Sequence, residues 1–279
     1  MDAIDVAELA LSLPDIDPSQ PSPARIYDFW LGGSQNFEAD REAGRRAADA
    51  MPTLVGAIRA NRAFLGRVVR HLTATAGIKQ FLDLGSGVPT AGNVHEVAME
   101  VDPEARVVYV DVDQVAIAHS RMLLSKTPNA VAILADLRRP DSVLAHPLLQ
   151  QTLDLSLPVA ILMNAVLHFV ADEDDPAGIV ASYLDVAAPG SYIALSHAAP
   201  DLAHPGEQQQ MLDDYQRSTR VPFINREPEV IEGWLAGLEI QPPGLVTVDQ
   251  WHPEPNAVET PILRTYGVLA RKPVESKED

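Results

Sequence analysis

The stretch FLDLGSGVPT, residues 81–90, is an apolar run that ends in an acid, Asp83, and closes on two glycines, Gly85 and Gly87. Such a corner can hold a dinucleotide, hold S-adenosylmethionine, or simply turn the chain. The dinucleotide fingerprint Gly-x-Gly-x-x-Gly asks for a third glycine where this chain has Thr90, preceded by Pro89. The acid weighs more than the missing glycine. A carboxylate within a few ångströms of a pyrophosphate is repelled by about 1 to 4 kcal/mol per charge pair, at effective dielectrics of roughly 80 to 20. Asp83 therefore points to a ligand carrying positive charge, and S-adenosylmethionine has both an α-ammonium and a sulfonium. Gly85, Ser86 and Gly87 would let the backbone approach that ligand closely.

Three further strand ends carry matching groups. Asp111 closes VVYV, 24 residues past Gly87, and is placed to accept from both ribose hydroxyls with Val112 beside it; Asp113 is an alternative two residues further out. Asp136 closes AVAILAD and could accept from an adenine amino group, with Leu137 offering a backbone amide to the ring. Asn164 closes AILMN and would face the methionine end. Singly these are ordinary strand-end residues. In order, Asp-x-Gly-x-Gly, Asp, Asp and Asn form one ligand-facing rim.

Methyl transfer is an in-line displacement that needs positioning above all, and a hydroxyl or ammonium acceptor gains from a general base. His168, in NAVLHFV, is the candidate base, and His197 occupies a similar place after the fifth strand; a packed structural role competes for both. HEVAM, residues 95–99, has half of a zinc-protease motif but Met99 where the second histidine belongs, and no other metal site emerges.

These groups need a scaffold. The runs QFLDLGSG (80–87), RVVYVDVD (106–113), AVAILAD (130–136), PVAILMNAVLHFV (158–170) and GSYIALSHA (190–198) alternate with helix-like segments. Continuous apolar strands are buried on both faces, so the spacing predicts a doubly wound α/β domain with a parallel sheet. LVTVDQW (245–251) and LRTYGVLAR (263–271) predict a hairpin-like addition. Leu54, Ile58, Phe64, Leu65, Val68, Val69 and Leu72 recur at helical spacing before Gly77, after a shorter helix over about 39–50. Residues 1–23 predict a loosely attached acidic arm, 24–77 an N-terminal lid with helices, and 78–279 the ligand-binding domain.

The lid motif crowds Tyr27, Phe29, Trp30 and Phe37 beside Gly32 and Gly33. It is either a loop packed on the domain or a cover over the cofactor mouth, in which Tyr27 and Asn36 reach the methionine moiety. Arg62 could pair with the cofactor carboxylate or form a surface salt bridge. Substrate selection is expected from residues 200–230, where Tyr215, Arg217, Arg220, Phe223 and Arg226 either line a pocket or anchor helix and loop.

Composition excludes some classes of function. The chain has 279 residues, no cysteine and a net charge of −18. Cysteine chemistry is absent, and the charge disfavours a nucleic-acid substrate. No apolar run of eighteen residues and no leader pattern is seen, which predicts a cytoplasmic protein without membrane association.

Over residues 80–271 the pattern resembles class I S-adenosylmethionine-dependent methyltransferases. With ARIYDFWLGGSQNFEADREAG (24–44), RANRAFLGRVVRHL, QFLDLGSGVPTAGNVHEVA and VVYVDVDQVAIAHSR, it resembles a largely uncharacterised bacterial family of such enzymes across nearly the whole chain after residue 20. The resemblance implies a Rossmann-like seven-stranded sheet whose last strand is antiparallel, S-adenosyl-L-methionine as cofactor, and methyl transfer; the leading expectation here is a small-molecule acceptor. It does not supply that acceptor. Two other readings stand beside it: a non-catalytic S-adenosylmethionine-binding protein, and a nicotinamide oxidoreductase, which Asp83, Thr90 and the lack of a Tyr-x-x-x-Lys pattern oppose.

Overall fold

The computed structural model describes residues 16–90, 92–254 and 262–274. Five parallel strands form the centre: β1 (Gln80–Leu84), β2 (Arg106–Asp111), β3 (Ala130–Leu134), β4 (Ala160–Asn164) and β5 (Tyr192–Ala198). Three more complete the sheet: β6 (Glu239–Ile240), β7 (Val246–Thr247) and β8 (Thr265–Arg271). The order is β3-β2-β1-β4-β5-β8-β6, with β8 antiparallel to β5. Seven strands thus lie on one path, as expected. An eighth, β7, also pairs with β8, which gives the antiparallel partnership expected for the two C-terminal segments.

The apolar runs are explained by burial on both faces. Leu82, Leu84, Val108, Val110, Ile161 and Met163 face one core, where they meet Ile179, Val180 and Tyr183. Phe81, Val107, Tyr109, Ala160 and Leu162 face the other, against Phe64, Val68 and Leu72. Strand neighbours alternate faces, so a strand apolar on both sides is enclosed by two helical layers.

The N-terminal part is helical: α1 (Pro23–Trp30), α2 (Glu38–Ala50) and α3 (Leu54–Ala74), the last ending before Gly77 at φ +69°. α4 (Val94–Val101) and α5 (Gln114–Leu123) follow β1 and β2; α6 (Pro140–Leu144), α7 (Pro147–Thr152) and α8 (Pro176–Val186) follow β3 and β4; α9 (Pro205–Thr219) and α10 (Pro228–Gly233) follow β5. Ile26, Trp30, Ala47, Met51, Met211 and Tyr215 make a third core that joins α1 and α2 to α9. The aromatic motif of residues 27–30 is therefore mostly helix and forms a packed cap. α9 falls within the polar stretch after Pro200, whose sequence carries little helical periodicity. Of the expected arm, residues 1–15 lie outside the described residues. Residues 16–22 meet the cap, with Gln20 Nε2 donating to the Ser218 carbonyl at 2.8 Å.

Candidate active site

The parallel strands end at one edge, where a cavity of about 350 Å³ gathers Asp83, Gly85, Ser86, Gly87, Asp111, Val112, Asp136, Leu137 and Asn164. Ala24 and Tyr27 of α1 and Arg220, Val221 and Pro222 after α9 line it from the other side, and Arg62 of α3 reaches it as well. Tyr27 is on the cavity lining. Asn36 is not.

At the end of β1, burial pushes the Asp83 carboxyl up to about 7; Arg62 pulls against this and Asp111 adds to it. The next residues bend under β2, with the amides of Gly85 and Ser86 both donating to the Val110 carbonyl at 2.8 and 3.1 Å. Gly85 has φ +75°, and a Cβ there would sit 2.2 Å from Val166 Cγ2. A side chain is excluded both by conformation and by space.

At the end of β2, Asp111 Oδ2 accepts from the Gly87 amide at 2.7 Å and Oδ1 from the Asp113 amide at 2.8 Å. Each oxygen keeps a second lone-pair direction for a ligand. Burial raises this carboxyl to about 6, against the Asp113 amide. Asp113 itself is already used: Oδ1 caps α5 through the Val115 and Ala116 amides, and Oδ2 takes Ser22 Oγ and Arg25 Nη1. Both aspartates line the cavity, but Asp113 is committed to the cap contacts and Asp111 is not. Val112 is 62% exposed, which is unusual for an apolar side chain on a cavity wall.

At the end of β3, Arg138 grips both oxygens of Asp136 at 2.7 to 3.0 Å and reaches Asp174 at 3.0 Å. Burial pushes Asp136 up, but the Arg138 hydrogen bonds outweigh it and hold the carboxyl below its ordinary value. Leu137 is buried on the wall with its carbonyl taken by Tyr183 Oη at 2.9 Å. Its amide has no acceptor among the described residues.

The expected base lies elsewhere. His168 sits in the 3-10 turn Leu167–Phe169, which sends Phe169 to the cavity and buries His168 against the Phe223 ring, stacked at 4.4 Å between centroids. Burial, His197 and Arg226 together hold its imidazole well below the usual range. His197 is fully buried, with Nδ1 at 2.7 Å from the Ala198 carbonyl and Nε2 facing Arg226 Nη1 at 3.1 Å, so its proton belongs on Nδ1. Asn36 is displaced for a related reason: its amide nitrogen donates to Asp28 Oδ2 and the Gly33 carbonyl, at 2.8 and 3.0 Å, and closes the loop after α1. His95, from HEVAM, packs against Tyr109, its Nδ1 2.7 Å from the hydroxyl.

Of the residues expected in a substrate pocket, Arg220 lines the cavity. Arg226 is a buried rivet that donates to the Leu167 and Val170 carbonyls and pairs with Asp172 at 2.7 Å. Arg217 pairs with Asp214 on the surface, while Tyr215 and Phe223 pack with Phe169. Arg138, Val166 and Phe169 are wall residues that the sequence reading missed. Arg138 alone carried a signal, as a cation two residues beyond a strand-end acid.

The comparisons with known proteins agree with this geometry. A family model described as S-adenosyl methyltransferase matches residues 10–273. A crystal structure from Thermobifida fusca YX, described provisionally as a methyltransferase, is 38% identical, with a TM-score of 0.86 over 94% of this chain and 98% of that one. A DUF574 family protein from Streptomyces avermitilis MA-4680 is 40% identical, with a TM-score of 0.87 over 92% and 99%. No curated protein matches. Among the described residues no helix is long and apolar enough to cross a membrane. With a family match over almost its whole length, the chain belongs to the S-adenosyl methyltransferases, enzymes that take S-adenosylmethionine as cofactor.

Proposed function

We propose that this enzyme methylates a small-molecule acceptor inside the covered cavity, and that the four strand-end groups hold the cofactor there. The observation that carries the reading is the partial cover: α1 and residues 220–222 stand across the strand ends and narrow the mouth of a cavity of about 350 Å³, a size that suits the cofactor and a small acceptor. The donor set fits the cofactor. Asp83 supplies a buried acid for the ammonium, Arg62 a cation for the carboxylate, and Asp111 two partly used oxygens for ribose hydroxyls. Val112 and Leu137 offer apolar surface to the adenine, and the Leu137 amide and Asp136 offer polar partners to its edge.

When bound, S-adenosylmethionine supplies an electrophilic methyl carbon on a cationic sulfur. The protein's part is to orient that end and exclude water, which Tyr27 and the 220–222 segment do from above. No histidine is among the cavity-lining residues, so His168 does not serve as the base in this reading. An acceptor already nucleophilic near neutral pH, such as an uncharged nitrogen or an acidic hydroxyl, suits a lining without histidine.

The test incubates the purified protein with methyl-labelled cofactor and acceptor panels grouped by nucleophile, with RNA, DNA and protein alongside. Mass spectrometry should find one methyl gained by a small molecule, with S-adenosylhomocysteine as coproduct. Label confined to a macromolecule would overturn the reading.

A further inference from the structure

Two residues outside the cavity wall control groups that are on it. Ser196 is fully buried on β5, directly opposite Asn164 in the β4–β5 register. Its hydroxyl lies 2.8 Å from Asn164 Oδ1 and 2.6 Å from Asn61 Oδ1, and accepts from the Ala165 amide at 2.9 Å. Asn61, 1% exposed on α3, donates from Nδ2 to Tyr27 Oη at 2.9 Å. Tyr27, Asn61, Ser196 and Asn164 therefore form one hydrogen-bonded chain, and both of its ends line the cavity.

A serine hydroxyl has one proton, yet two amide oxygens approach it here. An amide's oxygen and nitrogen exchange places by a half-turn, so one of the two amides is turned. If Asn164 turns, its nitrogen donates to Ser196, the Ser196 proton goes to Asn61, and the other bonds stay as they are. Asn164 then shows the cavity its oxygen. If Asn61 turns instead, it donates to Ser196 and accepts from Tyr27, and Asn164 shows the cavity its NH2 group. The second arrangement draws the one Tyr27 proton away from the Ile58 carbonyl, 3.3 Å away, so the first keeps one bond more.

We infer that Asn61 and Ser196 are positioning residues that hold Asn164 with its amide oxygen toward the cofactor ammonium. This rests on the cofactor reading above. The neighbouring charges choose the polarity: Asp83 already marks this end of the cavity for a cation, and Arg62 is the group suited to the carboxylate. An NH2 group turned toward an ammonium would meet it donor to donor. The αL conformation of Ala165, φ +53°, is held by the same serine, whose oxygen and carbonyl both face its amide. Ser196 thus fixes the backbone after Asn164 as well as its side chain.

The test is a double-mutant cycle read by calorimetry with S-adenosylhomocysteine and with 5′-methylthioadenosine, which lacks the amino-acid end. Ser196→Ala should weaken S-adenosylhomocysteine by about tenfold, the loss of one well-made polar contact, and leave methylthioadenosine unchanged. In an Asn164→Ala background the serine change should add nothing. Equal weakening of both ligands, or an undiminished effect in that background, would overturn the inference. Failure of the wild type to bind S-adenosylhomocysteine would instead overturn the cofactor assignment of the cavity.

Discussion

Asp40 and Asp113, which grip Arg25 of the cap, and Asp83 and Asp111 at the strand ends all have buried carboxylates, but they are treated in opposite ways. Asp40 accepts from Arg25 Nε at 2.9 Å, the Phe37 amide at 2.7 Å and the Ser22 amide at 2.9 Å, and Asp113 shares the same Arg25 while capping α5. Asp83 has the charge of Arg62 to oppose its burial, and Asp111 has backbone amides but no ion pair. Burial accordingly lifts Asp83 to about 7 and Asp111 to about 6. Acids that the protein pairs with itself hold the structure together, whereas acids it leaves incomplete identify where a cation belongs.

The largest effect that sharpens this contrast is in the cap. Arg25→Ala strands two buried carboxylates and should cost about 3 to 5 kcal/mol of stability, measured by denaturant unfolding. A loss below about 1 kcal/mol would mean the cap acids are no better paired than those of the wall.

On the wall the same kind of change should act on binding. Asp83→Asn removes a charge whose burial outweighs the pull of Arg62, so the ligand-free protein at pH 8 should be as stable as the wild type or more so. Its affinity for S-adenosylhomocysteine should fall by about tenfold or more. A destabilised variant with intact affinity would reverse the assignment.

The pH dependence follows with a definite sign. Asp83 and Asp111 have folded values above the ordinary 3.8, so the folded protein keeps protons that the unfolded chain has already lost. Ligand-free stability should therefore decline as pH rises from about 4 to about 7, then level off. Binding of a cationic ligand selects ionised Asp83, so affinity should rise toward pH 7, by at most about tenfold per pH unit, with proton release visible in calorimetry. Asp83→Asn should flatten that rise.

The smallest effect is expected at His168. Because Phe169 takes the wall position, His168→Gln should lower turnover far less than the roughly 10²- to 10⁴-fold a general base contributes. A drop of that size would return His168 to the chemistry.

Much of this organisation can be read from local sequence. The runs around Phe81, Val107, Val131, Ile161 and Ile193 became β1 to β5, because a strand apolar on both faces has few alternatives to a covered parallel sheet. The acids closing them came together because parallel strands end on one edge. What escaped depends on long-range pairing or on a shift of one residue. Arg25 meets Asp113 across 88 positions and Asn61 meets Ser196 across 135, with no local pattern to announce either. A single 3-10 turn exchanged His168 for Phe169, and β6, two exposed residues, is defined by its pairing with β8 and not by its composition.

The most direct test of the central claim is parallel calorimetric titration of the wild-type protein with S-adenosylmethionine, S-adenosylhomocysteine and NAD, after removal of any co-purified ligand. The account predicts that the first two bind one site per chain and NAD does not. Binding of NAD alone would contradict it, because a pyrophosphate would then be accepted beside Asp83.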